Sequence, residues 1–278
     1  QGVTWAATGE GVLANSLHKS SETGAIPSRE EYLYRPYRIS NGVKEIVCFF
    51  RDDNLSDKIG FEYSKLHASE AVADFIASLE AIYADNDSDE HRVVSVILDG
   101  ENAWEYYPYN AYYFLNELYE ALTEHAHIEM TTFSDVVERA NKHKKIDVPD
   151  LPKVAAGSWV YGSFSTWIGS ADKNLAWDLL CDAKKQYDQV MQSGLLSEME
   201  SAACERQLSI CEGSDWFWWF GDYNSSVSVD SFDRLYRRNL GNLYRLLKLP
   251  IPQTLSQPIS QGAGDPAVGG TMRRGQES

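Results

Sequence analysis

The sequence is short of positive charge, of cysteine and of long apolar runs, and each shortage narrows what the chain can be. Among 278 residues, 25 Lys and Arg face 41 Asp and Glu, a formal net charge of −16. Nucleic acid and anionic membrane both need clustered cations, so neither is expected as a partner. No stretch approaches the ~18 consecutive apolar residues of a membrane span. Residues 1–8 show no basic start followed by an apolar segment, so no signal peptide is expected. The four cysteines, Cys48, Cys181, Cys204 and Cys211, form no CxxC pair. They read as buried free thiols in a reducing compartment, which makes the expected location cytoplasmic. His125 and His127 are two residues apart, a spacing that suits no single helix face, so no metal site is expected. A phosphate-binding glycine loop, GxSxG and HExxH are all missing, which withdraws support from kinase, nucleotide-dependent and serine hydrolase chemistry.

What is present is material for a core: 43% apolar and 12% aromatic residues exclude disorder for most of the chain. Four segments read as buried strands, 3–8, 45–51, 93–99 and 128–133. The second and third are nearly continuous apolar runs, as expected of parallel strands covered on both faces. Between them, Leu66, Val72, Phe75, Ile76, Leu79, Ile82 and Tyr83 recur at helical spacing, as do Tyr113, Phe114, Leu118, Ala121 and Leu122. This alternation predicts an α/β parallel sheet, open or closed into a barrel. Chemistry in such sheets gathers at the carboxyl ends of strands, here Asp52, Asp53, Asp99, Glu101 and Glu10. After Pro149-Asp150-Leu151-Pro152 the sequence reads as helices only, about 172–192, 197–219 and 231–247. The expected organisation is therefore 1–150 as the α/β part, 151–260 as a helical subdomain and 261–278 as a disordered tail.

Four constellations could carry chemistry. In Val96-Ile97-Leu98-Asp99-Gly100-Glu101-Asn102-Ala103-Trp104 an apolar strand delivers a carboxyl group to its end, beside an indole. Partial desolvation there would raise the proton affinity of Asp99 and suit it to general-acid work; equally, Asp99 could cap the following turn. In Asp215-Trp216-Phe217-Trp218-Trp219-Phe220 five successive aromatics cover the whole circumference of a helix, so some must meet another surface. Helix packing at a domain junction and sugar stacking both fit that run. The third, Gly157-Ser158-Trp159 through Trp167-Ile168-Gly169, reads as a structured loop, in which Trp167 either packs or binds. The fourth is Arg51-Asp52-Asp53, where Arg51 either pairs structurally or tunes a catalytic carboxylate.

At these residues the sequence resembles glycoside hydrolase family 57. The blocks "WAATGEGVLANS", "FFRDDNLSDKIGFEYS", "LDGENAWEYY", "TTFSDVVER", "GSWVYGSFSTWIGSADKNLAWDLL", "CEGSDWFWWFGD" and "FDRLYRRNLGNLYRLL" are similar, in order, to the amylase and amylopullulanase-like branch. The resemblance implies a partial (β/α)7-type barrel followed by a C-terminal helical bundle, a retaining mechanism on α-glucans, and no metal or organic cofactor. It implies Asp99 as general acid/base. It also implies a nucleophilic Glu in a block preceding "WAAT", outside this chain, so Glu10 is not assigned that role and the fragment alone is expected to be nearly inactive. Substrate contacts are expected from Glu10, Arg51, Glu101, Trp104, Trp167, Asp215, Trp216 and Trp219. The alternatives are a 4-α-glucanotransferase or branching enzyme, or a non-catalytic glucan-binding protein.

Overall fold

The computed structural model describes residues 2–84, 91–100, 103–143 and 146–264. The chain divides into two units, residues 1–163 and 164–278.

In the first unit, the apolar run of β3 (Glu45–Arg51) forms the middle of a three-stranded sheet. On one side it pairs in parallel with β1 (Trp5–Gly9), with Gly9 opposite Arg51. On the other it pairs antiparallel with β2 (Tyr37–Ser40), a strand of four residues, too short to show a period in the sequence. Both faces of β3 are covered: the Phe49 ring stacks on Phe133 at 4.3 Å, while Cys48 and Phe50 pack with Leu13, Leu33 and Tyr37. Around the sheet lie α1 (Glu10–Ser20), α2 (Arg29–Tyr32), α3 (Asp53–Asp57), α4 (Ala68–Ala84), α5 (Tyr112–Glu124) and α6 (Phe133–His143). The apolar faces of α4 and α5 meet through Val72, Phe75, Phe114 and Leu118, as their periodicity predicts.

Three expectations change. Residues 93–99 form no strand, because their backbone bonds are taken singly rather than by a ladder. Ser95 O accepts from Asp52 N–H (2.9 Å), Ile97 O accepts from Arg51 Nε (2.9 Å) and Ile97 N–H donates to Ser56 Oγ (3.2 Å). Residues 128–132 are irregular, and Phe133 opens α6, with Thr132 Oγ1 accepting from Asp135 N–H (3.2 Å). The described residues thus hold one mixed three-stranded sheet, not the run of parallel strands the sequence suggested. The join expected at 150/151 also lies inside the first unit. There Leu151 N–H donates to Arg38 O (2.8 Å) and Ala155 N–H to the buried Ser16 Oγ (2.8 Å).

The second unit is helical: α7 (Ala171–Ser193), α8 (Glu198–Cys211), α9 (Asp215–Trp219) and α10 (Ser226–Leu246). The single helix predicted over 197–219 breaks at 212–214, where Trp216 Nε1 donates to Ile210 O (2.9 Å) and supplies an end-of-helix carbonyl with its partner. The core joins Ala176, Leu180, Cys204, Leu208, Phe217, Phe220, Tyr236, Leu240 and Leu243. Asp233, 1% exposed, accepts from Arg237 Nε and Nη2 (2.9 and 2.6 Å) and from Ile259 N–H (2.7 Å), while Arg237 Nη1 donates to Leu255 O (3.1 Å). Buried Ser260 donates to Asp172 Oδ2 (2.6 Å) and accepts from Gly221 N–H (3.0 Å).

Residues 261–264, expected to belong to a disordered tail, are held by backbone bonds. Ala263 N–H donates to Asp222 O (3.0 Å) and Gly264 N–H to Asn224 O (2.9 Å); the remainder, 265–278, lies outside the described residues. Cys48, Cys204 and Cys211 are buried free thiols, whereas Cys181 is exposed. Among the described residues no helix is long and apolar enough to cross a membrane.

Candidate active site

The parallel register of β1 and β3 decides where carboxylates gather. Gly9 faces Arg51, so the next residues, Glu10 and Asp52, leave the sheet at the same carboxyl edge. Glu10 opens α1, where a negative side chain complements the helix dipole. Asp52 caps α3, its Oδ1 accepting from Leu55 N–H (3.0 Å). Arg29 joins them from the first position of α2. It donates through Nε to Glu10 Oε1 (3.1 Å) and through Nη2 to Glu10 Oε2 (2.5 Å) and Asp52 Oδ1 (2.9 Å). Its Nη1 donates to the Tyr34 hydroxyl (3.1 Å), which in turn donates to Asp52 Oδ2 (3.0 Å). Asp53 N–H adds a third donation to Glu10, at Oε2 (3.0 Å). Glu10 therefore accepts three N–H groups, in a half-buried position.

A second cation lies alongside. Arg51 Nη1 donates to Asp53 Oδ1 and Nη2 to Asp57 Oδ1, both at 2.6 Å, and its guanidinium lies 5.5 Å from the centre of the Trp159 ring. Burial pushes the Asp53 carboxyl up to about 6, against the pull of the Arg51 hydrogen bond and with the charge of Glu10 adding to the rise. Burial first, and then the Asp52 charge, push the Tyr34 phenol up to about 12. Burial works against the Arg29 cation, yet Glu10 and Asp52 together hold its pKa above the ordinary arginine value.

Trp159 arrives here because glycines let two backbones touch. A Cβ on Gly9 would lie 2.6 Å from Trp159 O, and one on Gly11 would lie 2.9 Å from Gly162 N. Gly162 itself has φ +68, in the left-handed region that favours glycine.

Asp99 is exposed, at the end of segment 93–99 and two residues beyond the carbonyl that Arg51 binds. Arg51 therefore ties that segment to the carboxyl edge that carries Glu10, Asp52 and Asp53. Trp104 does not stand free as a stacking face. It is half-buried, 5.6 Å from Tyr107 and 6.4 Å from Phe114. Glu101 lies outside the described residues. Trp167, Asp215, Trp216 and Trp219 belong to the second unit. Within it, Trp167 is 5.7 Å from Trp218, Trp216 is 5.7 Å from Tyr236, and Trp219 stacks on Phe232 at 4.7 Å; Asp215 is exposed. Sequence reasoning missed Arg29 and Tyr34, and placed Trp159 in a structured loop without giving it a role. The Ser28-x-x-Glu31 pattern, in which Glu31 accepts from Ser28 N–H (3.2 Å), marks the helix start that presents Arg29. The paired glycines 157 and 162 mark the close approach that brings Trp159 in.

An α/β unit whose parallel strands deliver several carboxylates to one sheet edge is an arrangement suited to acid–base chemistry. The glycosyl hydrolase family 57 model matches residues 1–150, and the chain belongs to that family. No curated protein sequence matches it significantly. Similar solved structures include a family 57 branching enzyme from Thermococcus kodakaraensis, with TM-score 0.59 and 16% identity over 80% of this chain and 47% of that one. A 4-alpha-glucanotransferase from Thermococcus litoralis gives TM-score 0.50 and 18% identity over 88% and 38%. An alpha-amylase from Thermotoga maritima gives TM-score 0.56 and 15% identity over 88% and 54%. The chain thus spans about half the length of these proteins or less. At such identities the likeness concerns the fold, and it agrees with the (β/α)7-type architecture of the family.

Proposed function

We propose that the chain serves an α-glucan-active retaining glycoside hydrolase of the α-amylase type, with Asp99 as general acid/base. The observation that carries this is the exposed Asp99 carboxyl at the end of a segment tied by Arg51 to the carboxylate-bearing sheet edge. The three similar structures, named for glucan branching, transfer and hydrolysis, support the substrate class. In the first step Asp99 gives its proton to the glycosidic oxygen as the C1–O bond breaks and a second carboxylate bonds to C1. In the second step Asp99 takes a proton from water, which displaces that carboxylate.

The second carboxylate has two readings. The resemblance puts it in a block that precedes "WAAT". The alternative is Glu10, which sits at a parallel strand end, half-buried, with its oxygens held by Arg29 and Asp53 N–H. Retention requires a separation of about 5–5.5 Å between the two carboxyl groups when substrate is bound. Arg51 and Trp159 then flank the sugar in this reading.

The test uses the intact protein, with this chain joined to the block that precedes "WAAT", on maltoheptaose and with azide. Asp99→Asn should lower turnover by about 10²–10⁴-fold. With azide, Asp99→Ala should give a glycosyl azide of retained configuration and Glu10→Ala one of inverted configuration. A near wild-type rate for Asp99→Asn refutes the acid/base assignment, and an unchanged product from Glu10→Ala returns the nucleophile to the block preceding "WAAT". Counting reducing ends separates hydrolysis, which increases them, from transfer, which conserves them.

A further inference from the structure

Between Trp104 and Glu124 the chain sorts its aromatic residues into two sets. One set faces inward: Trp104, Tyr107 and Phe114 are in mutual ring contact, and the Tyr107 hydroxyl donates to Ile59 O. The other set faces water: Tyr106, Tyr109, Tyr112, Tyr113 and Tyr119 are 74%, 78%, 62%, 55% and 57% exposed. Three of these rings form one cluster. Tyr113 lies 5.5 Å from Tyr109 and 5.3 Å from Tyr112, edge to face in both cases. The backbone beneath is unusual: Tyr109, Asn110 and Ala111 have φ values of +53, +51 and +62. Three successive side-chain-bearing residues in the left-handed region are costly, and the inward set clamps both ends of that turn. Along α5, Tyr112 and Tyr119 stand seven residues apart, on one helix face. They extend the cluster by about 10 Å at the helical rise.

Five exposed tyrosines within fourteen positions are more than scattered surface apolarity requires. Charge selects the occupant. Residues 103–124 contain no Lys, Arg or His and four glutamates, Glu105, Glu117, Glu120 and Glu124. A phosphate- or sulfate-bearing polymer would be repelled. A neutral polyhydroxyl chain would not: its C–H faces lie on phenol rings and its hydroxyls exchange hydrogen bonds with the phenol oxygens.

We propose that the Tyr109–Tyr112–Tyr113 cluster, continued by Tyr119, is an accessory binding surface for polymeric α-glucan, beside the reacting site rather than in it. The inference rests on the α-glucan reading for its ligand. Its attachment next to the candidate site is physical, because Tyr107 anchors the segment to the turn that follows α3, and Asp52 caps α3. Such a surface holds a long chain near Asp99 and adds nothing for a short one.

The test is affinity electrophoresis of the full chain through gels containing soluble starch, with a gel free of polysaccharide as the control. Wild type should be retarded by starch relative to that control, and equally at 50 and 500 mM NaCl. Removing two rings, in Tyr109→Ala/Tyr113→Ala, should raise the apparent Kd for starch about tenfold. The thermal midpoint should stay unchanged, since both rings are exposed. Tyr113→Phe should keep most of the retardation. Asp99→Asn should be retarded like wild type, so a catalytic misassignment leaves this result intact. Equal retardation of the double variant and wild type overturns the proposal. So does binding of poly-lysine that disappears in 500 mM NaCl without starch retardation, which would make the surface a site for cationic protein. Concentration-dependent sedimentation of wild type that the double variant loses, again without starch retardation, would make it a self-association face and equally overturn the proposal.

Discussion

Replacing Arg29 by Met keeps most of the apolar stem and removes the cation that joins Glu10, Asp52 and Tyr34. The Asp52 side chain is 2% exposed and would lose a donor at 2.9 Å. Stripping one partner from a buried ion pair costs about 3–5 kcal/mol. Two facts bring the figure down here. Asp52 keeps the Tyr34 hydroxyl and the Leu55 N–H, both at 3.0 Å, and Glu10, 20% exposed, can recruit water. The expected loss is about 2–3 kcal/mol, or a fall in Tm of roughly 4–12 °C at about 2–4 °C per kcal/mol for a protein of this size. Urea unfolding of wild type, Arg29→Met, Asp52→Asn and the double variant closes a thermodynamic cycle. The cost of Arg29→Met should shrink by at least about 1 kcal/mol in the Asp52→Asn background. Arg29→Lys should recover little, because one ammonium cannot replace three nitrogens directed at three different partners. Additivity within about 0.5 kcal/mol would show that Arg29 and Asp52 do not act together, and the account of the site would fail.

Three further outcomes are expected. The Asp53 carboxyl is raised in the folded state from 3.8 to about 6, so its ionisation opposes folding: the penalty is absent below pH 4, grows to pH 6 and stays constant above. Partial exposure brings a ceiling of about 3 kcal/mol down to roughly 1–2, and the difference in urea stability between wild type and Asp53→Asn should show that step between pH 4 and 6.5. Lys173 is 2% exposed, with its ammonium held by Thr166 O and the Tyr223 hydroxyl; burial lowers its pKa from 10.5 to about 8. Stability relative to Lys173→Met should therefore rise from pH 8 to 10.5, by up to about 3 kcal/mol, and a fall in that window would contradict the burial argument. Gly9→Ala would drive a methyl to 2.6 Å from Trp159 O, so unfolding should become easier by about 2 kcal/mol, and a neutral effect would mean that the 157–163 segment can move away.

Much of this was legible in the residues. The run 46–50 is apolar on both faces and becomes the middle strand, and the stripe from Phe232 to Leu247 becomes α10. The strand-end rule led to Glu10, Asp52 and Asp53, which do meet at one edge. The same pattern misled at 93–99. Its apolar composition matches a strand, yet the choice between a ladder and single bonds lies with distant partners, the Arg51 guanidinium and Ser56 hydroxyl. Composition also could not tell which tryptophans remain open. Trp104 and Trp219 spend their faces on Tyr107 and Phe232, while the tyrosines that stay exposed stand in the same motif as Trp104. Arg29 escaped because its partners are 19 and 23 residues away, across a segment without periodicity.

The carboxylate of Asp233 sets how far the second unit can be trimmed. A shortened protein ending where α10 does would strand that acid without its amide donor from Ile259, and would take from Arg237 its acceptor at Leu255 and from Asp172 the hydroxyl of Ser260. Anyone designing a minimal version for crystallisation or fusion should therefore carry the polypeptide through Ser260, since the dozen or so residues beyond the last helix act as its fastening rather than its fringe.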